Sequence, residues 1–323
     1  MPNKLISSAL GALALICQLG STALAQDYPN RPVTLVVPYA AGGSADIIAR
    51  MLAEAMKPTL GQPVTVVNRP GGQGTIGTAD VVRSAPDGYN LVLSAVATLT
   101  VQPHRQDLPY NTPDDYDPII KVANVPMMLV VLSSAPWKSG KEAMDYVRAN
   151  PGKLRVGTPG NGSIGHLIVA SVNSKAGVKL AHVPFASGAE SIPAMLGGHI
   201  EAVVAHPSEL LPHVKAKTVT VLATFEDKRN ADFPDAPTFK ELGTDVSMGV
   251  YYPLVAPKGM PADVKAKLFK AAKAAIESPA FSSSAKERGY NLEVKDPEAF
   301  RKDLWVSYRA NDVLVKELGM GKK

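Results

Sequence analysis

Short runs of β-branched and aliphatic residues alternate with helix-period segments through most of this chain of 323 residues. The run from Val33 to Val37 predicts a buried strand, and apolar residues recur on one helical face of the segment 44–57 that follows it. Strand candidates at 64–67 and 90–94 continue the alternation. Strands separated by helices form largely parallel sheets that are covered by helices, so the sequence predicts an α/β fold.

A stretch rich in proline and aspartate, 108–118, which we expect to lie on the surface, interrupts this pattern, which then restarts as a second α/β unit. The candidate strands of this unit are at 127–132, 154–157, 180–183, 200–205 and 219–224, and its candidate helices are at 139–149, 164–174, 188–196 and 208–215. The C-terminal part returns to a strand at 251–256 and to helices at 262–278 and 297–318.

The chain forms two such units and then a C-terminal strand and helices that must pack against one of them. This order predicts that the first domain is discontinuous. We expect residues 26–123 plus 230–323 to form domain 1, and residues 124–229 to form domain 2. A chain that crosses twice between two domains forms a hinge, and the space between hinged domains is a common place for a ligand.

The composition is that of a folded globular protein. Hydrophobic residues make up 46% and charged residues 20% of the chain, which excludes a disordered protein. The formal net charge of +5 comes from 34 Lys and Arg against 29 Asp and Glu, without a basic run. We expect no nucleic-acid partner, because nucleic-acid binding requires clustered positive charge.

The N-terminal residues 1–25 have the pattern of a signal peptide. Lys4 is followed by an apolar stretch from Leu5 to Leu19, about 15 residues long, and by the small-x-small sequence at 23–25. This stretch is shorter than the roughly 20 apolar residues of a membrane anchor. We expect cleavage after Ala25, which removes Cys17, the single cysteine of the chain. An exported protein without cysteine fits the bacterial periplasm.

Three segments share one design, in which a strand leads through a loop of small residues into a helix. They are Pro38–Asp46, Gly157–His166 and Pro184–Glu190. Glycines in such loops let backbone amides approach a ligand closely, and amides at a helix start attract carboxylates or phosphates. All three loops should lie at the carboxyl ends of strands, where sheets of this type bind ligands. Taken one at a time, each loop is also an ordinary strand-to-helix connection.

Motifs for cofactors, metals and catalysis are incomplete. G-x-G-x-x-G occurs at 72–77 and 160–165, but neither is followed about 20 residues later by the acidic residue of a dinucleotide site. The six histidines lack metal-ligand spacing, and no G-x-S-x-G elbow surrounds Ser163. We therefore expect no cofactor, no metal and no catalytic residue, and a binding protein. An exported α/β hydrolase or isomerase acting on a carboxylate, and a structural periplasmic protein, are the alternatives.

A series of motifs in fixed order resembles the substrate-binding family of tripartite tricarboxylate transporters, also called the Bug family. The resemblance covers nearly the whole mature chain. It rests on Y-P-N-R-P-V at 28–33, P-Y-A-A-G-G-S-A-D at 38–46, N-R-P-G-G at 68–72, A-P-D-G-Y at 85–89, H-V-P-F at 182–185, L-G-G-H-I at 196–200 and F-P-D-A-P-T at 233–238. It implies a two-domain periplasmic-binding-protein clamshell, type II-like, in which each domain is a mostly parallel sheet flanked by helices.

The resemblance also implies a ligand site. In the family, the loop that matches 39–46 holds a ligand carboxylate through backbone amides and bridging waters, and the segments that match 94–98 and 158–166 complete the site. The expected ligand-binding residues are Tyr39, Ala41, Gly42, Gly43, Ser44, Asp46, Ser94, Thr98, Thr158, Gly162, Ser163, His166, Phe185 and His206. The chain is expected to be a monomer that passes a small organic acid to the membrane permease subunits of the transporter, or an orphan relative that serves a periplasmic sensor.

One departure from the family pattern concerns the identity of the ligand. After the strand 202–205, many relatives have Asp or Asn where this chain has His206. An Asp there could pair with a ligand ammonium, whereas a histidine can donate to a second carboxylate. We therefore expect a dicarboxylate or another acid without an amine. An aromatic acid such as terephthalate is one candidate, since Tyr39 or Phe185 could offer a ring face. The alternative is that His206 only caps the following helix.

Overall fold

The computed structural model describes residues 28–322. The predicted signal peptide and its cleavage site after Ala25 lie outside these residues. The strands are β1 (Val33–Val37), β2 (Val64–Asn68), β3 (Asn90–Leu93), β4 (Tyr116–Val125), β5 (Met128–Leu132), β6 (Arg155–Thr158), β7 (Ala181–Pro184), β8 (Ala202–Ala205), β9 (Val219–Thr224), β10 (Val250–Pro257) and β11 (Asn291–Leu292). The α-helices are α1 (Ser44–Leu60), α2 (Thr75–Val82), α3 (Val96–Thr100), α4 (Gly140–Ala149), α5 (Ile164–Ala176), α6 (Gly188–Leu196), α7 (Pro207–Lys215), α8 (Ala262–Glu277), α9 (Pro279–Glu287) and α10 (Pro297–Glu317).

The strands form two sheets, with the order β11-β4-β10-β3-β1-β2 in the first and β7-β6-β8-β5-β9 in the second. β1 is parallel to β2 and β3, and β6 is parallel to β7 and β8. β10 runs antiparallel to β3 and β4, and β5 runs antiparallel to β8 and β9. The expected α/β class is confirmed, and both sheets are mixed. The parallel pairs join strands that are connected through helices. β10 in the first sheet and β5 in the second adjoin the crossings between the sheets, and each runs opposite to both of its neighbours.

The first helix shows how the sequence pattern produces this packing. Ile48, Leu52 and Met56 recur every four residues of α1 and are fully buried, on the helix face that contacts β1, β2 and α8. Burial of side chains of this size stabilises the fold by about 1.5–3 kcal/mol each. The helix ends at Gly61, whose φ of +72° is the left-handed conformation that glycine adopts without strain.

β4 is an interior strand that the sequence pattern did not predict. Asp117 and Lys121 interrupt its apolar run, but both are buried and paired. Lys121 Nζ lies 2.6 Å from Glu293 Oε2, and Asp117 Oδ1 lies 2.8 Å from Lys265 Nζ. Polar groups can lie inside a fold when such partners replace water. The stretch 108–118, expected on the surface, therefore ends inside the fold.

The chain crosses between the sheets twice. β4 ends at Val125 and β5 begins at Met128, so the first crossing takes two residues, while the second lies between Thr224 and Val250. We call the elements around the first sheet the first lobe and those around the second sheet the second lobe. Two crossings connect the lobes, and the carboxyl ends of β1, β3, β6 and β8 face the space between them.

The lobes touch across this space. Gln102 of the first lobe donates through Nε2 to the carbonyl oxygens of Asn161, at 3.1 Å, and Gly162, at 3.3 Å, in the second lobe. This contact closes one side of the interlobe space. None of the helices within residues 28–322 combines the length and the apolar character that a bilayer crossing needs.

Candidate functional site

A cavity of about 60 Å³ lies between the lobes. This volume has room for roughly four to six water molecules at about 10–15 Å³ each, which is the size of a small organic molecule. The cavity is lined by Tyr39, Gly43, Ser44, Ala45, Gln73, Ala95, Ala97, Thr98, Met127, Pro159, Ser163, Ile164, Gly165, Ser187, Gly188, His206, Glu209, Val250 and Tyr252.

Four of the described helices that have nine or more residues begin at this cavity. Gly43, Ser163, Ser187 and His206 are the N-cap residues of α1, α5, α6 and α7, and each of them lines the cavity. The free amides and the dipole of a helix N-terminus attract negative charge. Since the four helix starts come from both lobes, the closed space between the lobes suits an anionic molecule.

The first glycine-rich loop is stabilised by an aspartate. Asp46 is 4% exposed and accepts hydrogen bonds from the Gly42 amide (2.9 Å), Arg50 Nε (3.0 Å) and Asn68 Nδ2 (2.9 Å). Burial by itself raises the pKa of Asp46, but these hydrogen bonds outweigh it and keep the pKa below its usual value. Asp46 therefore holds the loop and the start of α1 in place, and the Gly42 amide is already bonded.

The second loop is also capped from within. The Gly162 amide donates to His166 Nδ1 at 3.0 Å, and the His166 amide donates to Ser163 Oγ at 3.1 Å. His182 Nε2 lies 2.7 Å from Thr158 Oγ1. These residues shape the start of α5 behind the cavity wall, to which Ser163 contributes directly.

The third loop leaves a polar atom without a partner. Ser187 is 4% exposed, and its Oγ makes no hydrogen bond, unlike the capping hydroxyl of Ser163. A buried hydroxyl without a partner is unfavourable by about 1–3 kcal/mol. Because Ser187 lines the cavity at the start of α6, its hydroxyl is placed to bind a molecule there.

Tyr39 is committed to a hydrogen-bond chain. Thr98 Oγ1 donates to the Gln73 carbonyl at 2.8 Å, so the Tyr39 hydroxyl donates to Thr98 Oγ1 at 2.5 Å and accepts from the Ala95 amide at 3.0 Å. Ser94 Oγ lies 3.3 Å from the same hydroxyl. Tyr39 therefore contributes its ring to the cavity, while its hydroxyl joins three segments of the first lobe.

Glu209 places a carboxylate at the cavity. Its Oε1 accepts from the Ser44 amide of the first lobe at 3.1 Å, and its Oε2 accepts from the His206 amide of the second lobe at 3.3 Å. The first-turn amide of α1 is thus bonded to a side chain of the protein itself. The same contact joins the two lobes.

His206 lies both at the start of a helix and at the cavity. Its backbone is the N-cap of α7, and its ring lines the cavity. Nδ1 lies 3.1 Å from the carbonyl oxygen of Pro126, which can only accept, so Nδ1 carries the hydrogen. Only Nε2 is left for a ligand.

The structure brings together some of the expected site residues. Tyr39, Gly43, Ser44, Thr98, Ser163 and His206 line the cavity, whereas Ala41, Gly42, Asp46, Ser94, Thr158, Gly162, His166 and Phe185 do not. Several of the second group position the first through the hydrogen bonds described above. Phe185 packs with the hydrophobic residues of the second lobe.

Thirteen of the 19 residues that line the cavity were missed by the sequence-based site, among them Ser187, Glu209 and Tyr252. Glu209 lies three residues after His206, the spacing of a capping carboxylate, and this signal could have found it. Ser187 stood in a loop singled out from the sequence but was not chosen as a ligand residue. Tyr252 comes from β10, and no local pattern indicates that this strand reaches the site.

The two-lobed α/β fold with a closed space between its lobes defines a solute-binding protein of the periplasmic type. The model of the tripartite tricarboxylate transporter family receptor, TctC, matches residues 48–319. A curated relative from Cupriavidus necator, named UPF0065 protein in gbd 5'region, is 35% identical over 98% of this chain and 96% of its own. This chain therefore belongs to the TctC family of solute receptors, as the resemblance implied.

Solved structures agree with this membership. The periplasmic binding protein BugD superposes with a TM-score of 0.86 at 32% identity, covering 92% of this chain and 100% of its own. Two proteins of Rhodopseudomonas palustris, each 26% identical, are similar: MatC with bound malate (TM-score 0.84; 89% and 100% coverage) and a protein with adipate (0.86; 92% and 100%). Proteins of this family are binding proteins, which confirms the expectation of a receptor over a hydrolase or isomerase.

Proposed function

We propose that this chain is a periplasmic receptor that captures a small organic acid between its lobes and delivers it to the permease subunits of a tripartite tricarboxylate-type transporter. The observation that carries the proposal is the convergence of four helix N-termini on one cavity between the lobes. The buried Ser187 hydroxyl adds a donor at the same place. A ligand oxygen would satisfy this hydroxyl.

The relatives support the acid class. Structures of two of them hold malate and adipate, both dicarboxylates. The dicarboxylate expected from the sequence, aromatic terephthalate included, therefore belongs in the ligand panel, with the ring of Tyr39 as the aromatic contact. The cavity volume of about 60 Å³ favours acids of a few carbons.

The delivery part of the proposal rests on the two crossings. We propose the domain limits 26–123 plus 230–323 and 124–229, with the crossings at 125–128 and 224–250 as the hinge. Opening at the hinge would break the contact between Glu209 and Ser44 and expose the cavity. Export, with cleavage after Ala25, would place the receptor on the side of the membrane where the permease collects its substrate.

A thermal-shift panel of mono-, di- and tricarboxylates with aliphatic and aromatic frames tests the proposal. At a concentration a thousand times its dissociation constant, a true ligand adds about 4 kcal/mol to the free energy of unfolding. A hit should also lower the radius of gyration in small-angle scattering and remain unchanged chemically. A flat panel would refute the receptor proposal, and turnover of a bound acid would favour an enzyme.

A further inference from the structure

A groove opens between the lobes next to the cavity. It has a volume of about 340 Å³ and is lined by Gly72, Gln73, Gln102, Arg105, Gln106 and Asn161. Gln73 also lines the cavity, so the two spaces adjoin at this residue. None of the groove residues is Asp or Glu, and Arg105 brings the one charge among them. We call this space the Arg105 groove.

Most of the donors of Arg105 are free. Its Nε donates to the carbonyl oxygen of Met320 at 3.2 Å, but within residues 28–322 neither Nη1 nor Nη2 has a hydrogen-bond or ion-pair partner. The carboxylate of Asp107, two residues further on, is paired with Lys322 at 2.6 Å instead. Burial lowers the pKa of Arg105, and no carboxylate offsets this effect. Four N–H donors of a partly buried cation are therefore left for an anion.

The start of α5 adds to the positive potential at Arg105. A Cβ added at Gly162 would collide with Arg105 Nη1, so the guanidinium packs directly on the residue that precedes Ser163, the N-cap of α5. A cation and the positive end of a helix dipole repel each other, and an anion beside both would stabilise them together. The charge of Arg105 thus lacks a counter-charge at a place that already favours one.

Gln73 connects the groove with the cavity in a conformation that is unusual for its residue type. Its φ of +60° lies in the left-handed region that favours glycine, and Thr98 Oγ1 holds its carbonyl oxygen at 2.8 Å. Its side-chain amide packs on Gly160 of the second lobe, where an added Cβ would collide with it. Backbone strain of this kind occurs at ligand sites, where the surrounding structure enforces it. Gln73 is therefore fixed at the passage between the two spaces.

We infer that the Arg105 groove binds a carboxylate of the ligand acid, whose carbon chain passes Gln73 into the cavity. This inference rests on the proposed function and adds the place where the ligand charge lies. The residues that line the cavity include no Lys or Arg but do include Glu209, so the cavity itself has no cation to pair with an acid. The guanidinium of Arg105 can hold a carboxylate through two parallel hydrogen bonds.

The test is isothermal titration of the full mature chain with succinate, malate, adipate and terephthalate. For every one of these acids that binds the wild-type protein, Arg105→Gln should weaken binding about ten- to a hundredfold, the factor expected for hydrogen bonds to a charged group. Arg105→Lys keeps the charge without the paired donors and should lose less. Raising the salt concentration to about 0.5 M should weaken binding to the wild-type protein and have a smaller effect on Arg105→Gln.

The control is Arg83→Gln, which removes an exposed arginine of the same lobe that lies outside both the cavity and the groove. It should change neither the affinity nor its salt dependence. Unchanged affinity in Arg105→Gln, or a loss that Arg83→Gln shares, would overturn the inference. A loss in Arg105→Gln with the salt dependence of the wild type would also overturn it, because that pattern indicates a structural role. Failure of the wild-type protein to bind any acid of the wider panel would instead refute the proposed function. Thermal melting of each variant without ligand confirms that it is folded.

Discussion

The rings of His166 and His182 stack with their centroids 3.9 Å apart and their planes 5° from parallel. Burial lowers the pKa of each ring to about 4; for His166 the neighbouring His182 adds to this, and for both rings the charge of Arg105 does. In an unfolded chain, histidine binds a proton as the pH falls through about 6.5. Between pH 6.5 and pH 4, the unfolded chain therefore holds more protons than the folded chain, and the free energy of unfolding falls as the pH falls.

The stacked pair thus predicts acid sensitivity. Urea unfolding at pH 4.5 should give a free energy lower than at pH 7 by on the order of 2 kcal/mol from these rings, a figure reduced because both keep some solvent contact. His182→Gln should make this pH difference smaller. The exposed His199 offers a control, since His199→Gln should leave the difference as it is. An unchanged pH difference in His182→Gln would show that other groups cause the acid sensitivity.

Two serine N-caps should respond in opposite ways to removal of the hydroxyl. Ser187 Oγ has no partner, so Ser187→Ala should leave the melting temperature unchanged or higher, while ligand affinity falls about tenfold if the hydroxyl binds the carboxylate. Ser163 Oγ caps α5 by accepting from His166, so Ser163→Ala should cost about 1 kcal/mol of stability. Calorimetry with and without ligand measures both effects. Unchanged affinity in Ser187→Ala would remove this residue from the site.

Two glycines on either side of the Glu209 carboxylate should differ in their tolerance of alanine. At Gly188 the new Cβ would lie 2.3 Å from Oε2, whereas at Gly43 it would lie 3.6 Å from Oε1, an ordinary contact. In Gly188→Ala the Glu209 carboxylate must move away from the new Cβ and leave its hydrogen bonds to the Ser44 and His206 amides, so we expect the free energy of unfolding to fall by about 1–3 kcal/mol. Gly43→Ala should have a smaller effect. Chemical denaturation of both variants decides this, and equal losses would contradict the packing of Gly188 against the Glu209 carboxylate.

Asp46 should contribute more to the free energy of unfolding than a carboxylate on the surface does. Asp46→Asn weakens hydrogen bonds to Gly42, Arg50 and Asn68 inside the fold, and we expect a loss of about 1–3 kcal/mol. The control is Asp80→Asn. Asp80 pairs with Arg69 at 3.3 Å, and both side chains are about half exposed. This substitution should lower the free energy of unfolding by less than about 1 kcal/mol. If the two substitutions prove equally mild in urea titration, Asp46 does not hold the loop.

The sequence predicted most helices and strands because their signals are local. The apolar periodicity of α1 and the β-branched run of β1 can each be recognised from a few consecutive residues. β4 was missed because its polar residues Asp117 and Lys121 find partners from α8 and from the segment after β11, and such partners are distant in the sequence. Packing, and not local pattern, decides that these residues are buried.

The sequence alone determined the receptor family, the two α/β units and the loops that begin helices at the site, because each of these is written in short motifs. Only the tertiary structure decided which amides of those loops are already bonded and which acceptor faces the cavity. Glu209 and Ser44 are 165 positions apart, and their hydrogen bond forms only when the two lobes meet. Since a contact of that kind has no local signature, it could not be predicted from the sequence.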